Sequence, residues 1–342
     1  MEINGRPIDN TQSPFIVAEI GASHGGSFAR CMLLMGLAAG AGAHAIKLQC
    51  YTADSITLNS DLPDFVIKDG RWKGRRLYEL YEKAYTPFEW FADLFSVSRQ
   101  HGYPVFSSVF DRASVDRLEK IGCPAYKIAS MEIIDIPLIA HAAQTGKPII
   151  ISTGMASHSE IEEALVAAGN NVALLHCVSG YPTQVANSNL IRLVSMLDNY
   201  NCPVGLSDHS LGSATAVAAT VIGANIIEKH IRDWHEDTED AAFAMNPDDF
   251  RNMCKDVTGI WHAMRFSDTK NEESSRQFRR SLYVVQDIRA GEPFTEQNIR
   301  SIRPGYGIVP KYLPELIGKR AVRDIKRGTA LQWEMINRVL AS

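Results

Sequence analysis

The sequence predicts an α/β fold, a (β/α)8 TIM barrel followed by a small β-rich C-terminal domain. Three observations support this class: eight short β-branched runs, longer helical segments between them, and a change of pattern after about Phe266. Parallel strands joined by helical crossovers produce such an alternation. A doubly wound open sheet would share it, but the first turn reads GASHGG and lacks the GxGxxG fingerprint of that fold.

The eight candidate strands end in polar residues. Their predicted ranges are 15–20, 45–49, 105–109, 126–129, 148–152, 172–177, 204–207 and 226–230. Between them lie segments such as 159–168 and 213–222, where a capping residue precedes apolar positions three and four apart. In a barrel the carboxyl ends of all strands meet at one mouth, so we expect the functional site there.

The C-terminal part contains a short internal repeat. We expect the barrel over 1–266, a charged linker over 267–280 and the small domain over 281–342. An offset of 37 residues relates Val285, Asp287, Ile288, Gly291, Phe294 and Ile299 to Val322, Asp324, Ile325, Gly328, Leu331 and Ile336. Each copy combines apolar runs with a glycine that permits positive φ, which predicts pseudo-twofold symmetry.

Composition argues against several functional classes. The 342 residues include 35 basic and 39 acidic side chains, a net charge of −4, so we expect neither nucleic acid nor an anionic membrane as partner. An apolar run of the ~18 residues needed to span a membrane is missing, and the N-terminus lacks a signal-peptide pattern. Six cysteines without a CxxC pair indicate reduced thiols in the cytoplasm, and Cys177 is expected to pack.

Two histidines stand at equivalent positions, His209 after the seventh candidate strand and His230 at the end of the eighth. Two neutral imidazoles can bind a metal and leave positions open for water and substrate, although either ring could simply satisfy a backbone group. With oxygen donors completing the shell, Mn²⁺ or Mg²⁺ suits such a site as well as zinc does. His24 and His176 are lesser candidates near other strand ends.

Two lysines, Lys47 and Lys127, lie inside apolar strand patterns. An unpaired ammonium costs several kcal/mol when desolvated, so each requires an anionic neighbour. The structural alternative is a salt bridge to Glu19 or Glu132. The functional alternative is a substrate phosphate or carboxylate, with neutral donors from Ser130, Ser152 and Ser207. Because no P-loop is present, side chains and strand-end amides would have to hold a phosphate.

The two glutamates could also act in proton transfer. Lysines and a metal nearby would set the pKa of a carboxylate at Glu19 or Glu132. Glu132 follows a strand closely, so a role at a helix N-terminus is equally compatible with its position.

Several motifs resemble those of the sialic acid synthase family, which condenses phosphoenolpyruvate with an N-acetylated amino sugar. They are AEIGASHGGS, AIKLQCYTADS, AYKIASMEI, IISTGMAS, LLHCVSGYPT, GLSDHS and IIEKH. The tail is similar to the antifreeze-like (SAF) domain that ends these synthases. Residues 52–90 are more similar to the pseudaminic acid synthases than to the N-acetylneuraminate enzymes. This implies 2,4-diacetamido-2,4,6-trideoxy-L-altrose as acceptor, with N-acetylneuraminate or legionaminate synthesis as alternatives.

The resemblance also implies roles for individual residues. His209 and His230 would hold a divalent cation, Mn²⁺ first, with Mg²⁺ or Co²⁺ as alternatives. Glu132, Lys127 and Glu19 are candidate catalytic residues, with Glu132 beside the reacting carbons. Phosphoenolpyruvate would contact Lys47, Lys127, Ser130, Ser152 and Ser207. The sugar side would include Glu19, Gln49, Tyr181 and Asp240.

Two further expectations concern substrate binding and assembly. Arg303 would reach the pocket from the C-terminal domain of a partner subunit, which implies a domain-swapped homodimer. Ser179 is a substrate-binding candidate where the neuraminate enzymes carry Asn, and Ser23-His24 stands where the family has Asn-His. These two departures bear on the sugar contacts.

Two alternatives outside the family are also compatible with the sequence. In a Schiff-base aldolase Lys127 would attack a keto acid directly and no metal would be needed. A non-catalytic carbohydrate- or ice-binding protein would fit the antifreeze-like tail, but it leaves the polar strand ends without a purpose.

Overall fold

The computed structural model describes residues 1–235, 237–265 and 270–337. The chain divides into two compact units, with the boundary after Arg265. The expected boundary at 266–267, the first residues of the expected linker and residues 338–342 of the C-terminal domain lie outside the described residues.

Eight parallel strands close into a barrel, which confirms the predicted fold class. A short antiparallel hairpin, β1 (Glu2–Ile3) and β2 (Arg6–Pro7), precedes it. The barrel strands are β3 (Phe15–Glu19), β4 (Ala45–Cys50), β5 (Val105–Val109), β6 (Tyr126–Ile128), β7 (Ile149–Ser152), β8 (Val172–Cys177), β9 (Val204–Asp208) and β10 (Ile226–His230). Pairing of β10 with β3 closes the ring and sets His230 opposite Glu19. Every strand starts and ends within one residue of its prediction.

Helices connect and surround the strands. They are α1 (Phe28–Ala41), α2 (Ala53–Ile56), α3 (Leu77–Ala84), α4 (Phe88–His101), α5 (Arg112–Lys120), α6 (Ile136–Ala143), α7 (His158–Ala168), α8 (Ile191–Asn199), α9 (Ala214–Ile222) and α10 (Pro247–Arg265). Short 3-10 turns cover Gly21–His24, Pro63–Phe65 and Val185–Asn187. In the described part of the chain, no helix is both long and apolar enough to cross a membrane.

Local sequence explains where α7 begins. Ser157 accepts a hydrogen bond from the Glu160 backbone, and the Glu160 carboxylate accepts one in return from the Ser157 backbone at 2.7 Å. This reciprocal capping box satisfies two backbone donors at the helix start. By contrast, Ser213 precedes α9 as predicted, but its side chain makes no capping hydrogen bond.

The barrel strands are buried on both faces, as expected for parallel strands covered by helices. Every residue of β3, β5, β8 and β10 is buried, and β7 presents a continuous apolar run over residues 149–151. Charged residues interrupt these apolar strands near their carboxyl ends. The fold therefore concentrates its buried charges at the mouth of the barrel.

The second unit has the predicted pseudo-twofold symmetry. Backbone hydrogen bonds join Ile288 and Ile325 in both directions, at 2.9 and 2.8 Å, and these residues are 37 positions apart. Gly291 N donates to Ala321 O. In the repeat, Gly328 corresponds to Gly291 and Val284 to Ala321, and Gly328 N donates to Val284 O. A twofold axis between the copies produces this reciprocity.

The remaining elements of this unit are short. They are α11 (Lys270–Ser275), a 3-10 turn at Arg276–Phe278, β11 (Ser281–Val284), β12 (Ile299–Ile302), a 3-10 turn at Pro310–Tyr312, α12 (Leu313–Leu316) and a 3-10 turn at Trp333–Met335. Strands β11 and β12 are antiparallel. The expected linker is thus partly helical, because α11 and the turn that follows lie within it.

Candidate active site

A pocket opens at the carboxyl ends of the barrel strands. Nine of the predicted site residues line it: Lys47, Gln49, Lys127, Ser130, Ser152, Tyr181, Ser207, His209 and His230. Six further residues complete the lining: Ser108, Phe110, Ala129, Met131, Cys177 and Glu228. Side chains separated by more than 180 positions in the sequence therefore share one cavity.

Both lysines of the pocket lining have anionic neighbours. Lys47 Nζ lies 2.6 Å from Glu19 Oε2 and donates to Ser108 Oγ at 3.0 Å. Burial opposes the charge on Lys47, but Glu19 and Glu228 outweigh it and raise the pKa. Lys127 Nζ donates to Ser152 Oγ at 2.7 Å, and burial lowers its pKa. The carboxylate within 4 Å of Lys127 is Glu228.

Glu228 lies between the lysines, and sequence reasoning did not select it. Its Oε1 is 3.8 Å from Lys47 Nζ and 3.9 Å from Lys127 Nζ, and it accepts a hydrogen bond from Ser207 Oγ at 3.0 Å. Burial alone would raise the pKa of Glu228, but Lys127 and Lys47 lower it to about 2. The sequence does contain a signal for Glu228. It lies two positions before the candidate ligand His230 in the same strand, and side chains two positions apart share a face of the sheet.

The two histidines are adjacent, with ring centroids 5.3 Å apart. His209 Nδ1 donates to the Val178 carbonyl and His230 Nδ1 to Asp240 Oδ2, each at 3.2 Å. Asp240 Oδ2 also accepts from Ala22 N at 2.8 Å. Acceptors at Nδ1 fix the tautomer and leave the lone pair on Nε2, as in many metal-binding histidines.

This donor set fits a divalent cation held by two imidazoles. Among the described residues, no group of three or more His, Cys, Asp or Glu side chains is arranged to bind a metal. Water and substrate oxygens would therefore have to supply the remaining ligands, which suits Mn²⁺ and Mg²⁺. The lesser candidates, His24 and His176, do not line the pocket. His24 makes hydrogen bonds with Thr86 and Gly26, and burial lowers the pKa of His24 to about 4. His176 makes a hydrogen bond with the Ser188 carbonyl.

Cys177, which the sequence predicts to pack at a strand end, is buried and also part of the pocket lining. Its Sγ lies 3.8 Å from His209 Nδ1. Burial would raise the pKa of the Cys177 thiol, but its contact with His209 lowers it. The thiol therefore lies beside His209 in the pocket lining.

Aromatic and amide side chains form another side of the mouth. The Tyr181 ring packs on His209 with centroids 4.3 Å apart and lies 6.1 Å from the Trp72 ring. Gln49 Nε2 donates to Glu19 Oε1 at 2.8 Å, so Glu19 contacts both Gln49 and Lys47. Gln49 and Glu19 can hydrogen-bond to the hydroxyl groups of a ligand, and the ring of Tyr181 offers it an apolar surface.

A glycine allows two serines to approach each other after β6 and β8. Gly154 N donates to Ser130 Oγ at 3.1 Å. A Cβ at position 154 would lie 2.6 Å from Ser179 Oγ and 2.8 Å from Ser130 Oγ, so any other residue would force these side chains to move. Ser179 Oγ is buried without a hydrogen-bond partner in the described structure, and it is available to a ligand.

Glu132 lies in the turn after β6, where its backbone N–H donates to the Ala129 carbonyl at 3.1 Å. Burial raises the pKa of Glu132 to about 7, an effect that the charge on Lys127 partly offsets. Its Oε2 is buried and finds no hydrogen-bond partner among the described residues. A carboxyl group of this kind can exchange protons near neutral pH.

Arg303 belongs to the second unit, where its side chain is exposed.

Comparison with known proteins identifies a family for this chain. The sequence model of the NeuB family matches residues 34–269, and that of the SAF domain matches residues 279–337. The chain belongs to the NeuB family. This is the sialic acid synthase family that the motifs resemble, and its members are transferase-type enzymes.

Relatives cover almost the full length of this NeuB-family chain. The pseudaminic acid synthase of Campylobacter jejuni serotype O:2 is 42% identical, covering 93% of this chain and 95% of its own. That of Helicobacter pylori is 40% identical, over 96% and 99%. The N,N'-diacetyllegionaminic acid synthase of C. jejuni is 32% identical, over 93% and 98%. The crystal structure of Bacillus subtilis spore coat polysaccharide biosynthesis protein SpsE is 31% identical, with TM-score 0.67 over 98% and 99%.

Proposed function

We propose that the chain is a pseudaminic acid synthase. It condenses phosphoenolpyruvate with 2,4-diacetamido-2,4,6-trideoxy-L-altrose and releases a nine-carbon nonulosonic acid and phosphate. The observation that carries the proposal is the similarity to two pseudaminic acid synthases over more than nine-tenths of the chain, above that to a legionaminic acid synthase. Legionaminate or N-acetylneuraminate synthesis differs only in the acceptor sugar.

The buried lysines suit phosphoenolpyruvate. Lys47 and Lys127 can make charge-assisted hydrogen bonds to its phosphate and carboxylate. Neutral donors stand around them at Ser130, Ser152 and Ser207. In the free enzyme Glu19 and Glu228 balance the two ammonium charges, so the site is stable before the substrate arrives.

We further propose that His209 and His230 hold a divalent cation, Mn²⁺ first and Mg²⁺ or Co²⁺ as alternatives. Such a cation acts as a Lewis acid toward a carbonyl oxygen. Asp240, which accepts from His230 Nδ1, keeps that ring oriented. Tyr181 packs on His209 from the pocket side and limits the positions open to the sugar.

The reaction then needs positioning and proton transfer. The methylene carbon of phosphoenolpyruvate bonds to the aldehyde carbon of the open-chain sugar, whose oxygen takes a proton. Water adds to the enol carbon, and the tetrahedral hemiketal phosphate breaks its C–O bond to release phosphate. Glu132 is suited to take the proton from that water, because its pKa is raised to about 7. Glu19, which holds Gln49, and Asp240 would orient the sugar hydroxyls.

Assembly and location complete the proposal. We propose a domain-swapped homodimer in which Arg303 of one subunit reaches the sugar in the other. We also propose a cytoplasmic location, where six cysteines without a CxxC pair would stay reduced.

Competition among acceptors tests the proposed substrate. The altrose derivative, N-acetylmannosamine and the legionaminate precursor are offered together at equal concentration with phosphoenolpyruvate and Mn²⁺. Mass spectrometry then resolves the products, with an isotope label separating those of equal mass. We expect the altrose product to dominate, and a dominant legionaminate or neuraminate product would overturn the acceptor while keeping the reaction.

A further inference from the structure

A buried ion pair lies directly behind the histidine pair. Lys229 Nζ is 2.7 Å from Asp208 Oδ2, with side chains 0% and 3% exposed. The two residues are register partners across β9 and β10. Each immediately precedes one of the histidines, and side chains alternate along a strand. His209 and His230 line the pocket, whereas Lys229 and Asp208 do not.

The same pair anchors the chain just after His209. Asp208 Oδ1 accepts from Ser210 N at 2.8 Å, and Lys229 Nζ donates to the Ser210 carbonyl. Asp208 Oδ2 also accepts from Thr215 Oγ1, at 2.5 Å, in the first turn of α9. The residues on both sides of His209, Asp208 and Ser210, therefore belong to one hydrogen-bond network. Lys229, the residue before His230, belongs to the same network.

A buried ion pair is a costly way to stabilise a barrel. Desolvation of the two charges offsets most of their attraction, and apolar residues of similar size are often as stable. What the pair adds is a fixed geometry, because the ammonium must lie between the Asp208 carboxylate and the Ser210 carbonyl at hydrogen-bond distance.

We propose that Lys229 and Asp208 are positioning residues that fix the separation of the two imidazoles and so set the affinity of the site for a divalent cation. The inference rests on the cation site of the proposed function and assigns to it a pair of residues that touch neither cation nor substrate. Its measurable consequence is a change in cation affinity in the absence of both substrates.

Mn²⁺ binding to the substrate-free enzyme tests the proposal. The double variant Lys229→Met/Asp208→Asn leaves no unpaired buried charge, and Thr215→Val removes one donor while keeping the ion pair. Free Mn²⁺ is followed by electron paramagnetic resonance during titration of each folded protein.

We expect roughly 10- to 100-fold weaker binding of Mn²⁺ for the double variant, the range for loss of groups that orient metal ligands. Thr215→Val should show a smaller loss, and excess Mn²⁺ should recover part of the turnover of both variants.

Val172→Ala is the matched control. Val172 is buried at the first position of β8, at the end of the barrel opposite the mouth. We expect it to lower the melting temperature while keeping the parent affinity for Mn²⁺. If Thr215→Val and the folded double variant bind Mn²⁺ as the parent does, the pair has no positioning role. A parent enzyme that binds no Mn²⁺ would overturn the cation site itself and this inference with it.

Discussion

The indole of Trp72 donates a 2.9 Å hydrogen bond to Glu239, the residue next to Asp240 in the chain. Glu239 also binds Arg75 Nη1 and Lys83 Nζ, each at 2.9 Å. Burial alone would raise the pKa of Glu239, but these donors lower it to about 2. The segment after β4 is thus attached to the loop whose next residue orients His230.

Trp72 should determine how well the acceptor sugar binds. Its ring lies beside Tyr181, and an apolar surface there suits the methyl group of a 6-deoxy sugar. We expect Trp72→Ala to raise the KM for the altrose derivative by about tenfold, the scale for loss of one good apolar contact, while the KM for phosphoenolpyruvate stays nearly constant. Steady-state kinetics with each substrate varied in turn measures both constants.

Trp234 supplies the control for this change, because it follows β10 and is 57% exposed. Trp234→Ala should leave both constants close to the parent values. Equal increases in both KM values for Trp72→Ala would mean that the substitution disturbs the whole mouth and that Trp72 has no selective role.

Glu228→Gln should make the free enzyme less stable and phosphoenolpyruvate more stabilising. The substitution leaves Lys47 and Lys127 with one fewer counter-charge, and removing one member of a buried ion pair costs about 3–5 kcal/mol. A bound phosphate or carboxylate restores the missing negative charge. The melting temperature with and without phosphoenolpyruvate should therefore differ more for Glu228→Gln than for the parent. Glu163→Gln, an exposed substitution on α7, should behave as the parent, and an equal shift in all three proteins would contradict the proposed charge balance.

Glu132 should make stability depend on pH in a defined direction. Its pKa is raised from 4.5 to about 7, so its contribution to stability is fully present below about pH 4.5 and is lost as the pH rises through 7. Glu132→Gln cannot ionise. We expect the variant to match the parent in denaturant unfolding at pH 4.5 and to exceed it at pH 8. Parallel stability curves across that range would contradict the raised pKa.

The same variant tests the catalytic role of Glu132. If this carboxylate accepts a proton from water, the turnover of the parent falls below about pH 7, and the weak residual turnover of Glu132→Gln lacks that decline. A variant that retains both the parent turnover and its acid limb would assign the base to another group.

Arg303→Ala tests the proposed sharing of the site between two subunits. We expect it to raise the KM for the sugar, because the guanidinium would no longer reach the pocket of the partner. Mixing it with His209→Ala after subunit exchange should restore part of the activity, since one of the two sites in a hybrid dimer then has both residues. Labelled subunits verify the exchange, and inactive hybrids would contradict the swapped arrangement.

The barrel could be predicted because its sequence signals are local. Each strand is a short apolar run that ends in polar residues, and this pattern fixed the strand ends to within one residue. The repeat in the C-terminal unit was equally visible, because Gly291 and Gly328 mark equivalent turns. The helix α11 was missed because a charged, polar segment carries little hydrophobic periodicity.

Prediction of the site was limited where it depends on loops. Lys47, Lys127 and the histidines lie in or directly after strands, so the barrel geometry alone brings them together. Glu239 binds Trp72 across 167 positions through two irregular segments, and sequence periodicity gives no information about such a contact. Cys177 ends a strand like the others, and sequence alone does not distinguish a packed thiol from one that also borders the pocket.

Phosphate release tests the central claim most directly. Phosphoenolpyruvate and Mn²⁺ are incubated with the altrose derivative, N-acetylmannosamine or the legionaminate precursor in separate reactions, with a chelated sample and His209→Ala as controls. The proposed function predicts rapid release with the altrose derivative alone, and its loss in both controls. Release that is independent of the sugar, or that survives both chelation and the loss of His209, would contradict the account.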